Sequence, residues 1–360
     1  MVKNMNVQDF LEIVVKREAS DLHLVVGAPA VIRIDGLLLP VSPAPLTPED
    51  SETLIFELLS TEQKEMLTVN KEIDFSFALG DVARFRVNAY YQKGYLSAAL
   101  RLIPSYIRTI EELSLPAICH NFAKIRQGFI LITGPTGHGK STTIASIINE
   151  INQTRPLHIL TIEDPIEYVY PKGKALVSQR EMHLDTHSWD VSLRSALRED
   201  PDVVLVGEMR DFETISSAIT IAETGHLVFA TLHTNSAAQS IDRIIDVFPE
   251  NQQAQVRLQL AATVGGIVSM RLVPAIGGGR LPVCEILLSS SAVQTAIRDG
   301  KTHQIDNIIQ TSREAGMVLM DVSLANLVNL GKISLETAYA YSLRPKELDR
   351  LVKGETEGKK

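Results

Sequence analysis

The stretch that most constrains the fold lies at residues 128–154, where an apolar run precedes a glycine-rich loop and a helical pattern. The run FILI is apolar throughout, which is typical of a parallel strand buried on both faces. The loop GPTGHGKS then matches the pattern G-x-x-x-x-G-K-[ST]. Strand, loop and helix in this order predict a phosphate-binding loop at the edge of an α/β sheet.

The loop predicts a site for a nucleoside triphosphate. Glycines let backbone N–H groups surround phosphate oxygens, and the helix N-terminus adds partial positive charge. Lys140 is expected to reach the β- and γ-phosphates and Ser141 to ligate Mg²⁺. The side chain of His138 is expected to point outward, the alternative being direct contact of its ring with the nucleotide. The predicted binding residues are Gly134, Pro135, Thr136, Gly137, His138, Gly139, Lys140, Ser141 and Thr142.

Further strand patterns alternate with helical ones and indicate a doubly wound α/β sheet. Beyond residue 237 the pattern predicts mostly helices, one of them covering 250–273, with a single extended piece PVCEILLS and a loop tip at GGG, 277–279. The predicted strands are 158–164, 203–208 and 226–233, and the predicted helices between them are 140–152, 189–199 and 211–224.

The first 103 residues predict a separate α+β domain. An amphipathic helix covers 6–18, and a second helix begins at Thr47 as N-cap. Short strands flank a turn at Asp35-Gly36, and a strand pair flanks Gly80-Asp81. A third strand, YLSAALRLIP, follows. The predicted division is a domain over 1–103, a linker over 104–116, a second domain over 117–350 and a flexible tail over 351–360.

Charge and cysteine content exclude several classes. The chain has 35 Lys and Arg against 43 Asp and Glu, a net charge of −8, so it lacks the basic footprint of most nucleic-acid binders. Cys119 and Cys284 lie far apart, which indicates neither a disulfide framework nor a zinc site and suits a reducing compartment. There is neither a signal-peptide pattern nor an apolar run of about 18 residues, so a cytoplasmic protein is predicted.

Acidic residues end two of the predicted strands. Glu208 follows VVLVG, where doubly wound sheets bind their ligands, and is expected to support Mg²⁺ directly or through water. Glu163 ends another strand and is expected to polarise the attacking water, with Asp164 or Glu167 in a structural role. The alternative is that these paired acids are ordinary helix caps.

Two histidines bracket one predicted strand. His226 and His233 are seven residues apart, so an ideal strand places them on opposite faces and a two-histidine metal site is not expected. A lone strand histidine is usually just hydrogen-bonded. His233, however, lies beside Thr231 and Thr234 at the strand end, where a γ-phosphate sensor would sit.

Taken together, four blocks resemble the hexameric ATPases of type II secretion and type IV pili, and the match lies in the branch that retracts pili. The resemblance covers about 6–350. ASDLHL and RFRVNAYYQ resemble the PAS-like N-terminal domain of this family, while 300–312 and 316–334 resemble its C-terminal helices. The four blocks are the Walker A loop at 134–141, the acidic box at 161–167, the Walker B strand at 203–211 and the histidine box at 225–235.

The resemblance implies a RecA-like domain that binds ATP and Mg²⁺ and hydrolyses ATP. It implies a catalytic base, a Walker B acid, two histidine-box residues and arginines that approach phosphate at domain and subunit boundaries. Without the resemblance, the sequence would predict only that Arg84 and Arg86 are solvated residues on one face of a strand. The resemblance implies Glu163 as the catalytic base and Glu208 as the Walker B acid. It implies His226 and His233 as the histidine-box residues, and Arg84, Arg86 and Arg101 as the arginines that approach phosphate.

The resemblance also implies partners. It implies a ring of six copies that docks from the cytoplasm on an inner-membrane platform protein and powers pilus retraction and twitching motility, without membrane insertion and without nucleic acid. The segment AVQTAIRD at 292–299 departs from the AIRNLIRE usual in retraction ATPases, whereas two isolated cysteines cannot build the zinc module of many extension and secretion relatives. A motor for extension or secretion, a RecA-like nucleic-acid translocase and a nucleotide-gated scaffold remain alternatives.

Overall fold

The computed structural model describes residues 5–34, 36–80, 82–103 and 106–354. The chain forms two compact units: the N-terminal unit runs to Tyr106 and includes Pro165–Val169, and the C-terminal unit comprises the remainder. Predictions made for Asp35 and Asp81, for 104–105 in the linker and for 355–360 in the tail lie outside the described residues. Residues 107–116 belong to the C-terminal unit, where Ile107 and Ile110 are buried.

An antiparallel sheet of six strands, in the order β3-β2-β1-β6-β5-β4, forms the N-terminal unit together with three helices. Asn6 and Thr47 cap α1 and α2, each in a reciprocal capping box, so both predicted helix starts are confirmed. The predicted strands are present, whereas α3 was not predicted. The elements are α1 Val7–Lys16, β1 Asp21–Leu24, β2 Val31–Ile34, β3 Leu37–Pro40, α2 Pro48–Phe56, α3 Thr61–Asn70, β4 Glu72–Leu79, β5 Ala83–Gln92 and β6 Tyr95–Ile103.

A seven-stranded sheet, in the order β13-β12-β7-β11-β10-β8-β9, organises the C-terminal unit. All neighbouring strands pair in parallel except β13, which is antiparallel to β12. Every residue of β7, β10 and β11 is buried, as the apolar runs predicted. The elements through β11 are α4 Ile118–Lys124, β7 Gly128–Thr133, α5 Lys140–Thr154, β8 His158–Glu163, β9 Leu176–Glu181, α6 Trp189–Ala196, β10 Val203–Val206, α7 Phe212–Glu223 and β11 Leu227–Leu232.

The helix predicted over 250–273 is wrong in its second half, where Val264–Pro274 forms strand β12. Gly265 and Gly266 disfavour a helix at this point. They also permit close packing, because an added Cβ would lie 2.9 Å from Ile130 and 2.7 Å from Phe122, respectively. The parallel edge of β7 then pairs with the strand. The region that is helical apart from short connections therefore starts only after β13, near residue 291.

Helices dominate the remainder of the chain, and α12–α14 pack on the β12–β13 pair. Met320, Leu324 and Leu348 share a buried cluster with Val273 and Val283. Within the described part of the chain, no helix combines the length and apolar character needed to cross a membrane. The elements from 237 on are α8 Ala237–Asp246, α9 Glu250–Thr263, β12 Val264–Pro274, β13 Arg280–Leu288, α10 Ser291–Arg298, α11 Ile305–Thr311, α12 Met320–Asn329, α13 Leu335–Tyr341 and α14 Pro345–Val352.

Candidate nucleotide-binding site

The glycine-rich loop joins the carboxyl end of β7 to the first turn of α5 and has the backbone that its sequence requires. Gly134, Gly137 and Gly139 have φ of 143°, 77° and 88°, a region that favours glycine. An added Cβ on Gly134 would lie only 2.4 Å from the carbonyl oxygen of Met270. Gly139 is the N-cap of α5 and has no side chain to cap it, so the first amides of the helix face the loop.

Lys140 begins α5 and holds its ammonium group over the loop. The residue is 8% exposed. Its Nζ donates to the carbonyl oxygens of Gly134, at 2.8 Å, and Pro135, at 3.1 Å, and lies 3.5 Å from Nδ1 of His233. The structure therefore places a buried cation beside the N-terminus of a helix, an arrangement that attracts phosphate.

Glu208 lies just beyond the end of β10, between two basic side chains. Its Oε2 accepts from Arg210 at 2.6 Å, and its Oε1 lies 3.0 Å from Nε2 of His233. Burial raises the pKa of Glu208, but the hydrogen bond and charge of Arg210, together with the charges of His233 and Lys140, outweigh burial and hold the pKa below its ordinary value. Glu208 is therefore ionised at neutral pH.

Glu163 is the last residue of β8 and is 8% exposed. Its Oε1 accepts hydrogen bonds from Thr161 Oγ1 at 2.7 Å and from Gln179 Nε2 at 3.3 Å. Because β7, β11, β10 and β8 are parallel neighbours, Glu163, Glu208 and the loop all lie at the carboxyl edge of the sheet. The helix-cap alternative does not describe Glu163, which ends a strand and bonds side chains of its own sheet.

Sequence reasoning missed two residues of this site. Arg210 follows Glu208 by two positions, but no spacing rule marks such a cation as the partner of a carboxylate. Gln179 lies on β9, a strand that was not predicted and that places Gln179 opposite Thr161. A prediction of β9 from the run LVSQRE would have brought Gln179 next to the end of β8.

The two predicted histidines lie at opposite ends of β11. His233 joins the loop through Lys140 and lies 3.4 Å from Oγ1 of Thr136. The carbonyl oxygen of His226 accepts from the N–H of Gly128, at the start of β7, and its Nδ1 lies 3.0 Å from Oγ1 of Thr224. Seven residues of extended chain span about 20 Å. The structure therefore brings His233, but not His226, to the loop of the same chain.

His138 is turned into the body of the C-terminal unit, so its expected outward orientation is wrong. Its Nδ1 accepts a hydrogen bond of 2.9 Å from the backbone N–H of Leu272. Its ring stands edge-on to Tyr341, with 6.3 Å between ring centroids. Burial lowers the pKa of His138, and the positive charges of Arg271, Arg280 and Lys140 lower it further. The ring is neutral at neutral pH, as an acceptor at Nδ1 must be.

The three predicted arginines share one face of the N-terminal sheet. Arg84 and Arg86 are two residues apart on β5, and Arg101 of β6 is the direct partner of Arg86. Arg86 lies 3.9 Å from Asp74, and Arg101 donates to Asp21 at 2.9 Å. The side chain of Arg101 keeps 72% of its surface exposed.

The C-terminal unit is thus a P-loop nucleotide hydrolase of RecA-like class, with a phosphate loop and two carboxylates at the carboxyl edge of one parallel sheet. A family model described as type II/IV secretion system protein matches residues 2–280. This chain belongs to that family and is an ATPase.

Individual relatives match over most of the chain. It is 46% identical over 334 residues to the type IV pilus retraction ATPase PilT of Pseudomonas aeruginosa, covering 93% of this chain and 97% of the relative. It is 47% identical over 309 residues to a twitching motility protein of Neisseria gonorrhoeae, covering 86% and 83%. A crystal structure of the pilus retraction motor PilT with bound ADP aligns at a TM-score of 0.90 and 46% identity, covering 96% of this chain and 100% of that one. The predicted fold class is confirmed by this likeness.

Proposed function

We propose that this chain is a hexameric motor that hydrolyses ATP to retract type IV pili and so drives twitching motility. The observation that carries the proposal is the 46% identity to PilT of Pseudomonas aeruginosa across 93% of the chain. A relationship of this length includes the loop, both carboxylates and the N-terminal arginines.

ATP is bound by its phosphates at the loop. Amides of the loop and of the first turn of α5 donate to phosphate oxygens, and Lys140 neutralises the β- and γ-phosphates. Binding requires little rearrangement, since the Lys140 ammonium group already lies against the loop carbonyls. The crystal structure of the related PilT contains bound ADP, which supports nucleotide binding by this chain.

Mg²⁺ fits the oxygen donors that are present. Ser141 offers a hydroxyl in the first turn of α5, and Glu208 offers a carboxylate whose lowered pKa keeps it ionised. No group of three or more His, Cys, Asp or Glu side chains in the described ranges could hold a metal ion. Magnesium at nucleotide sites needs no such group, because phosphate and water supply most of its ligands. The ion would neutralise charge on the phosphates.

Hydrolysis uses the carboxylate of Glu163 as the base that orients and deprotonates the attacking water. Thr161 and Gln179 both donate to its Oε1, and these two hydrogen bonds hold the carboxylate at the end of β8. His233 links Glu208 to Lys140, so the side chain that reports on the γ-phosphate also contacts the Walker B acid. Water adds to the γ-phosphorus, the bond to the β-phosphate oxygen breaks, and ADP and phosphate leave.

The assembly is a homohexamer that docks from the cytoplasm on an inner-membrane platform protein. Arg84, Arg86 and Arg101 contribute guanidinium groups to nucleotide phosphate in the ring, where planar donors neutralise phosphoryl oxygens. His226, which lies far from the loop of its own chain, acts elsewhere in the ring. A closed head-to-tail interface generates such a ring from identical subunits.

The biochemical test is nucleotide binding and turnover by the full chain. Lys140→Ala should abolish detectable ATP turnover, because the cation that contacts the β- and γ-phosphates is lost, and should weaken ADP binding by about ten- to a hundred-fold, because the buried contact with the β-phosphate is lost. Lys124→Ala on the exposed side of α4 is the matched control and should behave as the unaltered chain. Retained turnover in Lys140→Ala would refute the assignment of the loop.

The biological test separates retraction from its alternatives. A deletion strain should be piliated but non-motile, and this chain should restore twitching motility. Bald cells would indicate a motor for extension or secretion. This alternative is tested because the segment 292–299, most of which lies in helix α10, departs from the sequence usual in retraction ATPases. Salt-dependent DNA binding with DNA-stimulated hydrolysis would indicate a nucleic-acid translocase instead.

A further inference from the structure

Strand β12 extends beyond the end of its neighbour β7 and runs behind the nucleotide loop. The two strands pair only as far as Ser269 and Thr133, whereas β12 continues to Pro274. On the other side, β13 pairs with β12 along the whole of this extension, down to Arg280 opposite Pro274. Beyond Ser269, the edge of β12 that would otherwise pair with β7 therefore lies next to the loop.

Four residues of the loop, Gly134, Gly137, His138 and Gly139, lie against this hairpin. The carbonyl oxygen of Met270 lies 2.4 Å from the position of a Cβ built on Gly134, and side-chain atoms of Leu272 and Met270 lie within 3.4 Å of a Cβ built on Gly139. Arg280 donates to the carbonyl oxygen of Gly137 at 3.4 Å. The shortest polar contact is the 2.9 Å bond from the Leu272 N–H to Nδ1 of His138.

We propose that His138 is a positioning residue, which fastens the nucleotide loop to β12 and so holds the loop amides in place for phosphate. The proposal rests on the nucleotide site proposed above. His138 itself need not touch the nucleotide, because its ring is directed to Leu272 and Tyr341. A loop that is held before binding loses less conformational freedom when phosphate arrives, and therefore binds more tightly.

The surroundings of the ring suit this task. Arg271, Arg280 and Lys140 are the charged groups that act on it, and Tyr341 is the aromatic neighbour. Three cations disfavour a charged imidazole, so the neutral ring presents a lone pair at Nδ1 to the Leu272 amide. The acceptor is two bonds from Cβ. Asparagine presents its Oδ1 at the same reach, whereas alanine and serine present nothing there.

The experiment compares His138→Asn with His138→Ala in the full chain. His138→Ala should raise the Kd for ADP and the KM for ATP by about three- to ten-fold, the usual effect of one lost hydrogen bond, with kcat within about two-fold. His138→Asn should restore both constants to within about two-fold of the unaltered chain. His303→Ala, an exposed histidine elsewhere, is the matched control.

Each outcome decides the matter. Equal ADP affinity in the alanine variant and the unaltered chain would overturn the proposal, as would an asparagine variant that is as weak as alanine. Should the alanine variant not fold, His138→Ser replaces it as the truncated variant. Failure of the nucleotide site itself would look different, because the unaltered chain and Lys124→Ala would then bind no ADP either.

Discussion

The two sheets of this protein carry their charged residues in different places. In the N-terminal sheet they lie along one face: Arg33, Asp21, Arg101 and Arg86 are successive cross-strand partners in one row. In the C-terminal sheet, the interiors of the parallel strands β7, β10 and β11 are buried and carry no charged side chain, and the two site carboxylates lie at or just beyond the ends of β8 and β10. The first sheet offers a charged surface and the second a charged edge.

The difference follows from strand direction. In an antiparallel sheet one face packs on the core and the other is available for polar side chains. Leu22, Leu100 and Val87 form the row on the packed face, and all three are fully buried. A parallel sheet is packed on both faces, so a carboxylate is tolerated only where a strand ends. Catalytic groups therefore converge in the C-terminal unit, whereas the arginines are spread along a surface.

The largest expected effect is at the edge of the parallel sheet. Glu163→Gln should lower kcat by about a hundred- to ten-thousand-fold, because the base is lost, and should leave ADP affinity unchanged, because the amide oxygen still accepts from Thr161 and Gln179. Steady-state phosphate release and calorimetry measure the two quantities. Asp164→Asn, at the exposed next position, is the matched control, and an unchanged kcat in Glu163→Gln would remove it as base.

The second-largest effect is expected on stability and ADP affinity when a glycine of the nucleotide loop is changed. Gly134→Ala should destabilise the C-terminal unit by ~2 kcal/mol or more and weaken ADP binding at least about ten-fold, since the methyl group meets the Met270 carbonyl oxygen. Gly137→Ala, with open space around its Cβ, should cost only about 1 kcal/mol of backbone strain. Thermal unfolding with and without ADP compares them. Equal losses would mean that β12 does not confine the loop.

A smaller effect is expected on the charged face. Arg101→Ala should lower kcat by about ten-fold with the fold intact, if its guanidinium contacts phosphate. Arg33→Ala removes another cation near Asp21, at 3.7 Å, and should leave kcat unchanged. Parallel ATPase assays on both variants separate a phosphate contact from a general loss of positive charge. Equal rates in the two variants would mean that Arg101 does not contact phosphate and that both arginines have only a structural role in the N-terminal sheet.

The effect of Arg101→Ala on stability should depend on pH. Burial raises the pKa of Asp21, but hydrogen bonds from Ser20 and Arg101 and nearby positive charges outweigh it and leave the pKa below its ordinary value. A lowered pKa stabilises the fold above the unfolded pKa, and this contribution is lost as the pH falls through the folded pKa. Arg101→Ala should therefore reduce the free energy of unfolding by ~0.5 kcal/mol at pH 7, a small effect because the Arg101 side chain is largely exposed, and by less at pH 3, where Asp21 begins to be protonated. Urea unfolding at both pH values measures it.

The smallest effect concerns the packed interior of the C-terminal unit. Burial and the nearby charge of Glu150 raise the pKa of Cys119 to about 12, and burial also raises the pKa of Cys284. Neither thiol should react with iodoacetamide at pH 8 in the native protein, whereas both should react in denaturant. Mass spectrometry counts the adducts. Rapid native labelling would show that this interior opens readily, unlike a close-packed core.

The sequence by itself determined the features that are encoded over a few adjacent residues. The loop glycines, the N-cap Thr47, and the carboxylates at the ends of β8 and β10 all follow from short patterns with a local physical cause. Buried parallel strands are recognisable because packing on both faces demands an uninterrupted apolar run.

Tertiary structure alone decided the features that depend on partners distant in the chain. Val264–Pro274 forms a strand that pairs with the edge of β7, and the apolar pattern from which a helix was predicted does not show this pairing. Gln179 reached Glu163 through the pairing of β8 with β9. His138 found its donor 134 residues away, at Leu272. A local pattern fixes how a segment can fold, but a hydrogen bond between distant segments exists only once packing has brought them together.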